Sequence, residues 1–494
     1  MIGLLETIVG APFVAAALLL LIPAQQKTAL RVVSAVAALI SLAGSIQVWR
    51  LYDLAKGGLQ LGVSYPVLPD LGIHLKLAVD GWGVSLLLLT GLIITGGVFA
   101  SWTLEDRPKE FFVFLLVLVA GVFGVFVCQD LFLFFLFYEI AVLPMYLLIG
   151  IWGSSNKVAE AGPFRVVWKM FDVGGKEYAA MKLTLMLLVG SALILAVMLA
   201  MYHSAGAGTF DMQVLGDQDY PMWLQSIGFL ALWVGFGTLA GLWPFHTWSP
   251  DGHAAAPTAV SMLHAGVLMK LGAFGVMRVG MMMLPEGARE WAWLVGLVAV
   301  INIFHGAMCA LAQKDLKYII AYSSVSHMGV VLLGAATLTV NGWNGAVYQN
   351  AHTRWIPSMG GFGRVMPGVA TFFTLGAMSS LGLPALAGFV AEALVFIGAW
   401  ESAHSWWALV GLVGAWITAI YVLRGCKGIF WGEGPSEEFT DLKDAQGVEW
   451  VALWLLGLGL IVFGCAPRLI LDFIDLSTAE YLAQVLGSAW EGIK

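Results

Sequence analysis

Residues Gln225–Arg278 read QSIGFLALWVGFGTLAGLWPFHTWSPDGHAAAPTAVSMLHAGVLMKLGAFGVMR, and this stretch decides the fold. Its first apolar run stops at Gly241–Pro244, and the apolar pattern resumes at Pro257. The backbone freed by such a break is tolerated inside a membrane only where protein or a water-filled cavity satisfies its N–H and C=O groups. In transporters, a hydrophobic segment interrupted by Gly and Pro therefore predicts an ion pathway.

The composition of the whole chain is typical of a membrane protein. Of its 494 residues, 60% are hydrophobic and 11% are charged, whereas soluble proteins carry about 25% charged residues. The formal net charge is −7 and there is no contiguous basic patch, so nucleic acid is not an expected partner. The four cysteines stand apart without a CxxC pair, which argues against a disulfide framework or a zinc site. The N-terminus carries Glu6 and no basic segment, so we expect a first span there and not a cleaved signal peptide.

The apolar runs predict an all-α polytopic membrane protein with thirteen visible spans. Each run approaches or exceeds the roughly 20 apolar residues that a bilayer core requires. The expected spans are Leu4–Ile22, Leu30–Val48, Gly83–Ser101, Phe111–Val127, Leu131–Trp152, Met181–Tyr202, Gln225–Leu242, Thr258–Val279, Trp291–Leu311, Tyr318–Leu338, Gly368–Trp400 (broken at Leu381–Gly388), Trp406–Leu423 and Val448–Cys465. The tail Leu476–Trp490 is short and amphipathic, so we expect it to lie on a surface.

The charges of the loops predict the orientation. Up to the ninth span, most lysines and arginines lie in the loops after odd-numbered spans, so the positive-inside rule places the N-terminus outside the cytoplasm. After the tenth span the pattern reverses, and five basic residues fall on the wrong side: Arg354, Arg364, Arg424, Lys427 and Lys443. One additional span near Gln349 would return all five to the cytoplasmic side, so the count indicates a missing helix.

A second Gly/Pro break, SSLGLPALAGFVAEA, lies at Ser379–Ala393. Glu392 follows this break as Lys270 follows the first one. Two broken helices in corresponding places predict an internal structural repeat of inverted topology.

Three charged residues within apolar runs are the main candidates for function: Glu139, Lys270 and Glu392. A charge inside a membrane is costly unless it is paired or hydrated, so each is a functional candidate by default. Burial and neighbouring charges can adjust such a group to carry a proton. The alternative for each is a structural ion pair between helices.

Several histidines are the second set of candidates. His246 and His253 flank the first break, His264 precedes Lys270, and His327 lies in AYSSVSHMG. An imidazole titrates near neutral pH and suits a proton relay, although a single buried histidine commonly satisfies only a local hydrogen bond. For His305 and His203, which have no such neighbours in the sequence, we expect no role.

Lys317, which follows Asp315 at a helix start, is either a solvated residue near the helix cap or a further member of the same polar path. The chain contains no phosphate-binding loop, no dinucleotide fingerprint and no paired-histidine haem pattern, so we expect no cofactor in this chain.

Three motifs together resemble the M-type (mitochondrial subunit 4 type) antiporter-like subunit of respiratory complex I. They are FLFYEIAVLPMYLLIGIWG, WPFHTWSPDGHAAAPTAVSMLHAGVLMKLGAFGVMR and QKDLKYIIAYSSVSHMG, and the similarity runs from about residue 75 to 430. Mrp antiporter subunits and membrane hydrogenases share these motifs more loosely. The L- and N-type relatives commonly have lysine where this chain has Glu392, which favours the M type.

The resemblance implies an antiporter-like bundle of fourteen helices with two inverted repeats. The corresponding divisions are residues 1–105 for the N-terminal helices, 106–280 and 281–430 for the two repeats (the second short of a helix near residue 349), and 431–494 for the last span and tail. It also implies that Glu139, Lys270 and Glu392 lie on a proton path, with His327 on its central hydrated axis.

The resemblance further implies the surroundings of the chain. The expected partners are L- and N-type antiporter-like subunits, small helical subunits and lipid, in a bacterial plasma (inner) membrane. Quinone would bind elsewhere in the complex, and partner subunits would carry FMN and iron–sulfur clusters.

This chain departs from the family pattern in three places. The family has a lysine five residues before the proline that matches Pro244, and this chain has Leu239 there. A complete helix is missing between Gln349 and Ala351, and the loop Ser155–Glu177 is longer and more basic than in the family.

Because of Leu239, Glu139 lacks its usual cationic partner. We expect Lys182 to reach Glu139, since its stem can extend along apolar surface. The alternative is that Glu139 stays protonated until water enters near Pro244.

The function expected from these observations is proton translocation within an NADH:quinone oxidoreductase. Two alternatives are a Mrp-type cation/proton antiporter subunit and a scaffold subunit whose channel is impaired by Leu239 and the lost helix.

Overall fold

The computed structural model describes residues 3–155, 174–350, 365–431 and 444–487. The described part is almost entirely helical, with one β-hairpin formed by β1 (Gln60–Leu68) and β2 (Ile73–Val79). The helices are α1 (Leu4–Leu21), α2 (Lys27–Leu51), α3 (Gly81–Ala100), α4 (Pro108–Val127), α5 (Leu131–Trp152), α6 (Lys176–Ala205), α7 (Met212–Gly216), α8 (Phe229–Ala240), α9 (Trp248–Ala255), α10 (Thr258–Leu263), α11 (Met269–Gly275), α12 (Pro285–Ala312), α13 (Leu316–Ala336), α14 (Val340–Asn350), α15 (Pro367–Ser380), α16 (Ala387–Glu401), α17 (Trp406–Phe430), α18 (Glu449–Cys465) and α19 (Arg468–Leu486).

Most of these helices can cross a membrane. Among the described residues, 11 are long and apolar enough, or up to 12 if the bent pair α18–α19 is one span. The expected span Gly368–Trp400 is not among them because its break divides it into α15 and α16, of 14 and 15 residues. The expected all-helical membrane fold is therefore confirmed, while the count of thirteen spans stays a prediction.

Three wider turns of π-helix interrupt this regular pattern, at Leu224–Gly228, His264–Leu268 and Val276–Met281. The last two flank α11 and keep α10 and α11 in one continuous span, Thr258–Met281. Such turns are rare in general and are frequent at functional sites.

The two breaks are built in the same way. A glycine follows the end of each helix, Gly241 (φ 76°) after α8 and Gly382 (φ 75°) after α15, and both adopt the left-handed conformation that glycine adopts without strain. In each case the next residue, Leu242 or Leu383, donates its N–H to a carbonyl five residues back, at 2.8 Å and 3.1 Å. These are Schellman caps, which satisfy carbonyls that a helix end would otherwise leave without partners.

The side chain of Asn302 on α12 binds the backbone of the first break. Its Oδ1 accepts the N–H of Trp243 at 2.9 Å, while its amide donates to the carbonyl of Val325 on α13 at 2.9 Å. The indole of Trp248 donates to the carbonyl of Thr238 at the end of α8, at 2.9 Å. Protein groups therefore satisfy the irregular backbone here, as a hydrocarbon environment requires.

Helix α14 ends at Asn350, the point at which we predicted that a helix is missing. It has 11 residues, about 16 Å of helix, which is half of a bilayer core of about 30 Å. It begins beside the end of α13, whereas α15 begins near the end of α17, where Phe373 contacts Phe430. The additional span near Gln349 that the loop charges predicted stays a prediction. Residues 351–364, which include Arg354 and Arg364, lie outside the described residues, as do Lys443 and most of the loop Ser155–Glu177.

The C-terminal helix, which we expected to lie on a surface at Leu476–Trp490, begins earlier, at Arg468, bends by 66° from α18, and packs against α3 and α14. Ser477 accepts the N–H of Gly81 at 2.9 Å, and Thr478 accepts the indole N–H of Trp82 at 3.0 Å. The face with these residues is buried against the bundle, while the opposite face is exposed. Its place at a membrane surface stays a prediction, and residues 488–490 lie outside the described part.

A buried charge cluster joins this helix to the rest of the bundle. Arg278 donates to Asp80 at 2.7 Å and to Gln129 at 3.0 Å, and the hydroxyl of Tyr481 also donates to Asp80. Asp80 in addition caps α3 by accepting the N–H of Gly83 at 2.6 Å. The hairpin covers the same end of the bundle, where Lys76 pairs with Asp211 at 2.6 Å.

Asp80→Asn tests this cluster. The amide can still cap α3 but leaves the guanidinium of Arg278 buried without its counter-charge, which costs about 3–5 kcal/mol. We expect a large fall in the thermal dissociation temperature of the purified complex, with Asp70→Asn in the exposed hairpin turn as the control. Equal stability of the two variants would show that the buried pair contributes nothing.

Candidate functional site

The first break leads into a stack of aromatic rings. His253 of α9 and His264 lie face to face with ring centroids 3.8 Å apart, and Trp248 stacks on the other face of His264 at 5.1 Å. His253 is within 3.1 Å of the hydroxyl of Ser261. Both nitrogens of His264 and the Nε2 of His253 are buried without a protein hydrogen-bond partner among the described residues.

A lysine lies on each side of this stack. Lys317 donates to the carbonyls of Ala254 and Ala256, both at 3.2 Å, directly beside His253. Lys270 donates to the carbonyl of Ala265 inside the wider turn His264–Leu268. Both positive charges act on His253. Asp315 caps the start of α13. Lys317 lies next to this cap, but its ammonium is bound to the broken segment and is not simply solvated.

A small cavity lies next to Lys270. It measures about 20 Å³, and its lining combines the polar residues Lys270, Ser324, His327 and Gln349 with several apolar ones. A volume of roughly 10–15 Å³ is enough for one water molecule. The cavity thus joins the ammonium of Lys270 to the imidazole of His327 through a space that one water can occupy.

His327 is held among polar groups from three helices. Its Nδ1 is 3.4 Å from the carboxylate of Glu392 and 3.3 Å from the amide of Gln349, and its Nε2 is 3.4 Å from the hydroxyl of Ser380. Ser380 ends α15 and Glu392 lies on α16, so the second break positions both. We call the line Lys317, His253, His264, Lys270, His327 and Glu392 the central polar axis.

Lys182 is not where we expected it. Its ammonium binds Asp251 of α9 at 2.7 Å, and the hydroxyl of Tyr318 donates to the same carboxylate at 3.1 Å. The expected pair with Glu139 is not formed, because Asp251 presents a carboxylate closer to the stem of Lys182. Asp251 was not among the candidates chosen from the sequence. It could have been identified there, because it is a carboxylate inside the broken segment.

His305, for which we expected no role, has a neighbour that the sequence did not show. Its Nε2 lies 3.1 Å from the Nε2 of His246, with the rings at 73° to each other. Cys309, one turn further along α12, lies 3.6 Å from the same nitrogen. The sequence gave no hint of this contact because the two histidines are 59 positions apart.

Glu139 is half-buried on α5 and lies apart from the central polar axis. Ser191 of α6 is its hydrogen-bonding neighbour, while its Oε1 is buried without a partner. Among the described residues Glu139 forms no ion pair, and Leu239 on the facing side of the break is fully buried. The structure therefore separates Glu139 from the other predicted residues.

Metal binding has no support in the described part of the chain, where no cluster of three His, Cys, Asp or Glu side chains is placed to hold an ion.

Fold and site together define a polytopic helix bundle in which two broken helices enclose a line of buried ionisable side chains. The sequence matches the model of the family described as "NADH:quinone oxidoreductase/Mrp antiporter, TM" over residues 128–350 and 343–418. The chain belongs to this family.

Relatives and solved structures agree with this assignment. NAD(P)H-quinone oxidoreductase chain 4 1 of Picosynechococcus sp. is 36% identical, covering 97% of this chain and 92% of that protein. The protein of the same name from Nostoc sp. is 36% identical, covering 97% and 91%. A chain of respiratory complex I from Thermus thermophilus has a TM-score of 0.82 and 26% identity over 97% of this chain and 99% of that one. A chain of the Mrp complex from Dietzia sp. shares the fold, with a TM-score of 0.80 at 19% identity over 98% and 99%. The M-type resemblance seen in the sequence is confirmed.

Gly382 allows Glu392 to approach the second break. A Cβ at Gly382 would lie 2.8 Å from the Oε2 of Glu392, so Gly382→Ala must displace this carboxylate as well as strain the backbone. Gly206→Ala is the matched control, since Gly206 has φ +61° and nothing lies within 4 Å of an added Cβ. We expect Gly382→Ala to slow proton translocation by the reconstituted complex at least about tenfold, and Gly206→Ala to leave it unchanged. Similar activity in both variants would mean that the position of Glu392 is unimportant.

Proposed function

We propose that this chain is a membrane-arm subunit that translocates protons in an NAD(P)H-quinone oxidoreductase. The observation that carries the proposal is the central polar axis, which places ionisable side chains from both broken helices in one line. Its relatives, 36% identical over nearly the whole chain, are named as chain 4 of such an enzyme.

The alternative of a Mrp-type antiporter subunit is not favoured. Similarity to the Mrp complex at 19% identity reflects the fold alone. The alternative of a scaffold with a channel impaired by Leu239 and the lost helix is not favoured either, because the relatives are named as chain 4 of the oxidoreductase and the central polar axis does not pass through Leu239.

Protons move along the axis between groups that can each bind and release a proton. An imidazole can accept at one nitrogen and donate from the other, which suits the stacked His253 and His264. From Lys270 the proton crosses the cavity to His327, whose Nδ1 lies within 3.4 Å of Glu392. The unpartnered nitrogens of the stack are satisfied by water, because buried polar groups without partners are strongly unfavourable.

Glu139 acts as a separate proton carrier beside the first break. A half-buried carboxyl without a cation is favoured in its neutral form. Glu139 is therefore protonated at rest and becomes charged when water enters near Pro244.

The surroundings follow from the same proposal. The chain is a multi-pass protein of a bacterial plasma membrane with its N-terminus outside the cytoplasm, as the loop charges indicate. It assembles with other membrane subunits, including L- and N-type antiporter-like subunits. Partner subunits carry FMN and iron–sulfur clusters, quinone is reduced elsewhere, and this chain supplies only the proton path.

Glu139→Gln tests whether Glu139 is a proton carrier separate from the central polar axis. The amide is similar in shape but cannot take up or release a proton, so we expect proton pumping to be lost and quinone reduction to slow, with assembly intact. The exposed Glu290→Gln is the control. Pumping is measured in proteoliposomes with a pH-sensitive dye during quinone reduction, and a wild-type proton-to-electron ratio in Glu139→Gln would refute the role.

Two substitutions test whether Lys270 transfers protons or only supplies a positive charge. Lys270→Ala removes the amine, and Lys270→Arg keeps a positive charge on a group that does not readily release its proton. We expect both to lose pumping in the same assay, while Lys56→Ala on the exposed loop retains it. Full activity of Lys270→Arg would show that a fixed charge is sufficient and that Lys270 does not transfer protons.

A further inference from the structure

A groove outside the central polar axis has no assigned role. It opens where α12 ends and α13 begins, against the last turns of α17, and has a volume of about 490 Å³. Ligand pockets in proteins measure about 300–1,000 Å³, so the groove is large enough for a ligand. Arg424 of α17 donates to the carbonyl of Leu311 at 3.4 Å, and its guanidinium therefore lies beside the end of α12.

Two basic side chains line the groove, Lys314 and Arg424. Both are exposed, and neither forms an ion pair in the part of the chain that the structure describes. Asp315 is the acidic residue of the lining, and its carboxylate accepts the backbone N–H of Lys317 at 2.8 Å and caps α13. The lining therefore carries an excess of positive charge, which attracts an anion.

The lengths of the helices place the groove at the level of the lipid headgroups. α12 has 28 residues and α17 has 25, which is about 42 Å and about 38 Å of helix, longer than a hydrocarbon layer of about 30 Å. Next to Arg424 on α17, Ile420 and Leu423 are 42% and 44% exposed. These apolar side chains at the edge of the groove form a surface suited to acyl chains.

The inner wall of the groove is apolar, and Leu316, Ile319 and Ile429 line it. A narrower cavity of about 40 Å³ begins at Leu316 and Ile319 and continues between α13, α15 and α17 beside Phe373 and Val422. The groove therefore presents charged side chains at its mouth and apolar ones further in. An anionic phospholipid has the matching order of groups, a phosphate followed by hydrocarbon.

Two glycines keep the groove open. Gly425 and Gly428 line it from α17, although glycine weakens a helix relative to alanine. A Cβ added at either position would meet nothing within 4 Å, so no contact inside the described part of the chain requires these glycines. The space next to them is available to a ligand.

We propose that this groove binds an anionic phospholipid, with the phosphate held by Lys314 and Arg424 and the acyl chains against α17. Arginine forms charge-assisted, bidentate hydrogen bonds with phosphate. Basic pockets between spanning helices on the cytoplasmic side bind the headgroups of anionic lipids, and the loop charges put Lys314 on that side. The inference goes beyond the proposed function, because the six residues of the central polar axis lie outside the groove.

The whole complex tests the lipid site in phosphatidylcholine nanodiscs that contain a photoactivatable phosphatidylglycerol. Mass spectrometry after illumination measures the labelling of peptides that cover residues 310–320 and 420–430. We expect the variant Lys314→Gln/Arg424→Gln to be labelled at least about tenfold less than the wild type, since each basic residue contributes roughly a fivefold attraction for anionic lipid. Arg107→Gln/Lys109→Gln removes two basic residues from another loop on the same side, and this matched control should be labelled like the wild type.

Gly425→Leu tests the groove without changing its charge. The leucine side chain occupies the open space beside α17, so labelling of the same peptides should fall to the level of the double variant. Gly459→Leu on α18 is the matched control, because an added Cβ there also meets nothing within 4 Å and the position lies outside the groove. If Lys314→Gln/Arg424→Gln does not assemble, Gly425→Leu decides the test.

Wild-type labelling in the groove variants would overturn the lipid site. Unlabelled phosphatidylglycerol should compete with the probe and inorganic phosphate should not; equal competition by phosphate would show a site for a free anion and contradict the proposal. A cross-link from Lys314 to an acidic peptide of a partner subunit, in place of lipid labelling, would show a protein interface and also overturn it. The readout is labelling and not proton pumping, so its result is independent of the test of Lys270.

Discussion

The structure depends on one constraint, namely that backbone polar groups inside a hydrocarbon layer must find partners within the protein. Both breaks meet it first with a Schellman cap at a left-handed glycine, Gly241 or Gly382. Side chains from neighbouring elements then satisfy the remaining groups, as Asn302 does for the N–H of Trp243. The breaks are consequently fixed in place and hold side chains at membrane depth in defined positions, which a flexible loop could not do.

The same constraint governs the charges. Arg278 and Asp80 are fully paired with each other and with Gln129 and Tyr481, and they join α3 to the C-terminal helix. The two stacked histidines differ from this cluster. His253 and His264 contact each other mainly through their faces, and the ring nitrogens Nε2 of His253 and both of His264 have no protein partner among the described residues. A cluster whose hydrogen bonds are all made stabilises the fold, whereas ring nitrogens with unused capacity are what the proposed proton path requires.

The sequence allowed the class of fold and both breaks to be predicted, because apolar runs and Gly/Pro punctuation are local signals. Glu392 and His327 were also recognised as candidates, although their contact depends on how α13 and α16 pack. The partners of Lys182 and His305 could not be foreseen, since Asp251 and His246 lie 69 and 59 positions away in the chain. For the C-terminal helix, the amphipathic pattern indicates one apolar face, but the sequence does not show that α3 covers that face.

Leu239 shows how these observations combine. A cation at this position would lie within the first break, near the end of α8, and would attract Glu139 across the facing helices. With leucine there, the segment 224–255 contains no lysine or arginine of its own, and the cations that contact it come from neighbouring helices. Lys182 of α6 is paired with Asp251, and Lys317 of α13 donates to the carbonyls of Ala254 and Ala256. The positive charge at the first break is therefore supplied by other helices, at positions away from Glu139, and this is why Glu139 forms no ion pair among the described residues.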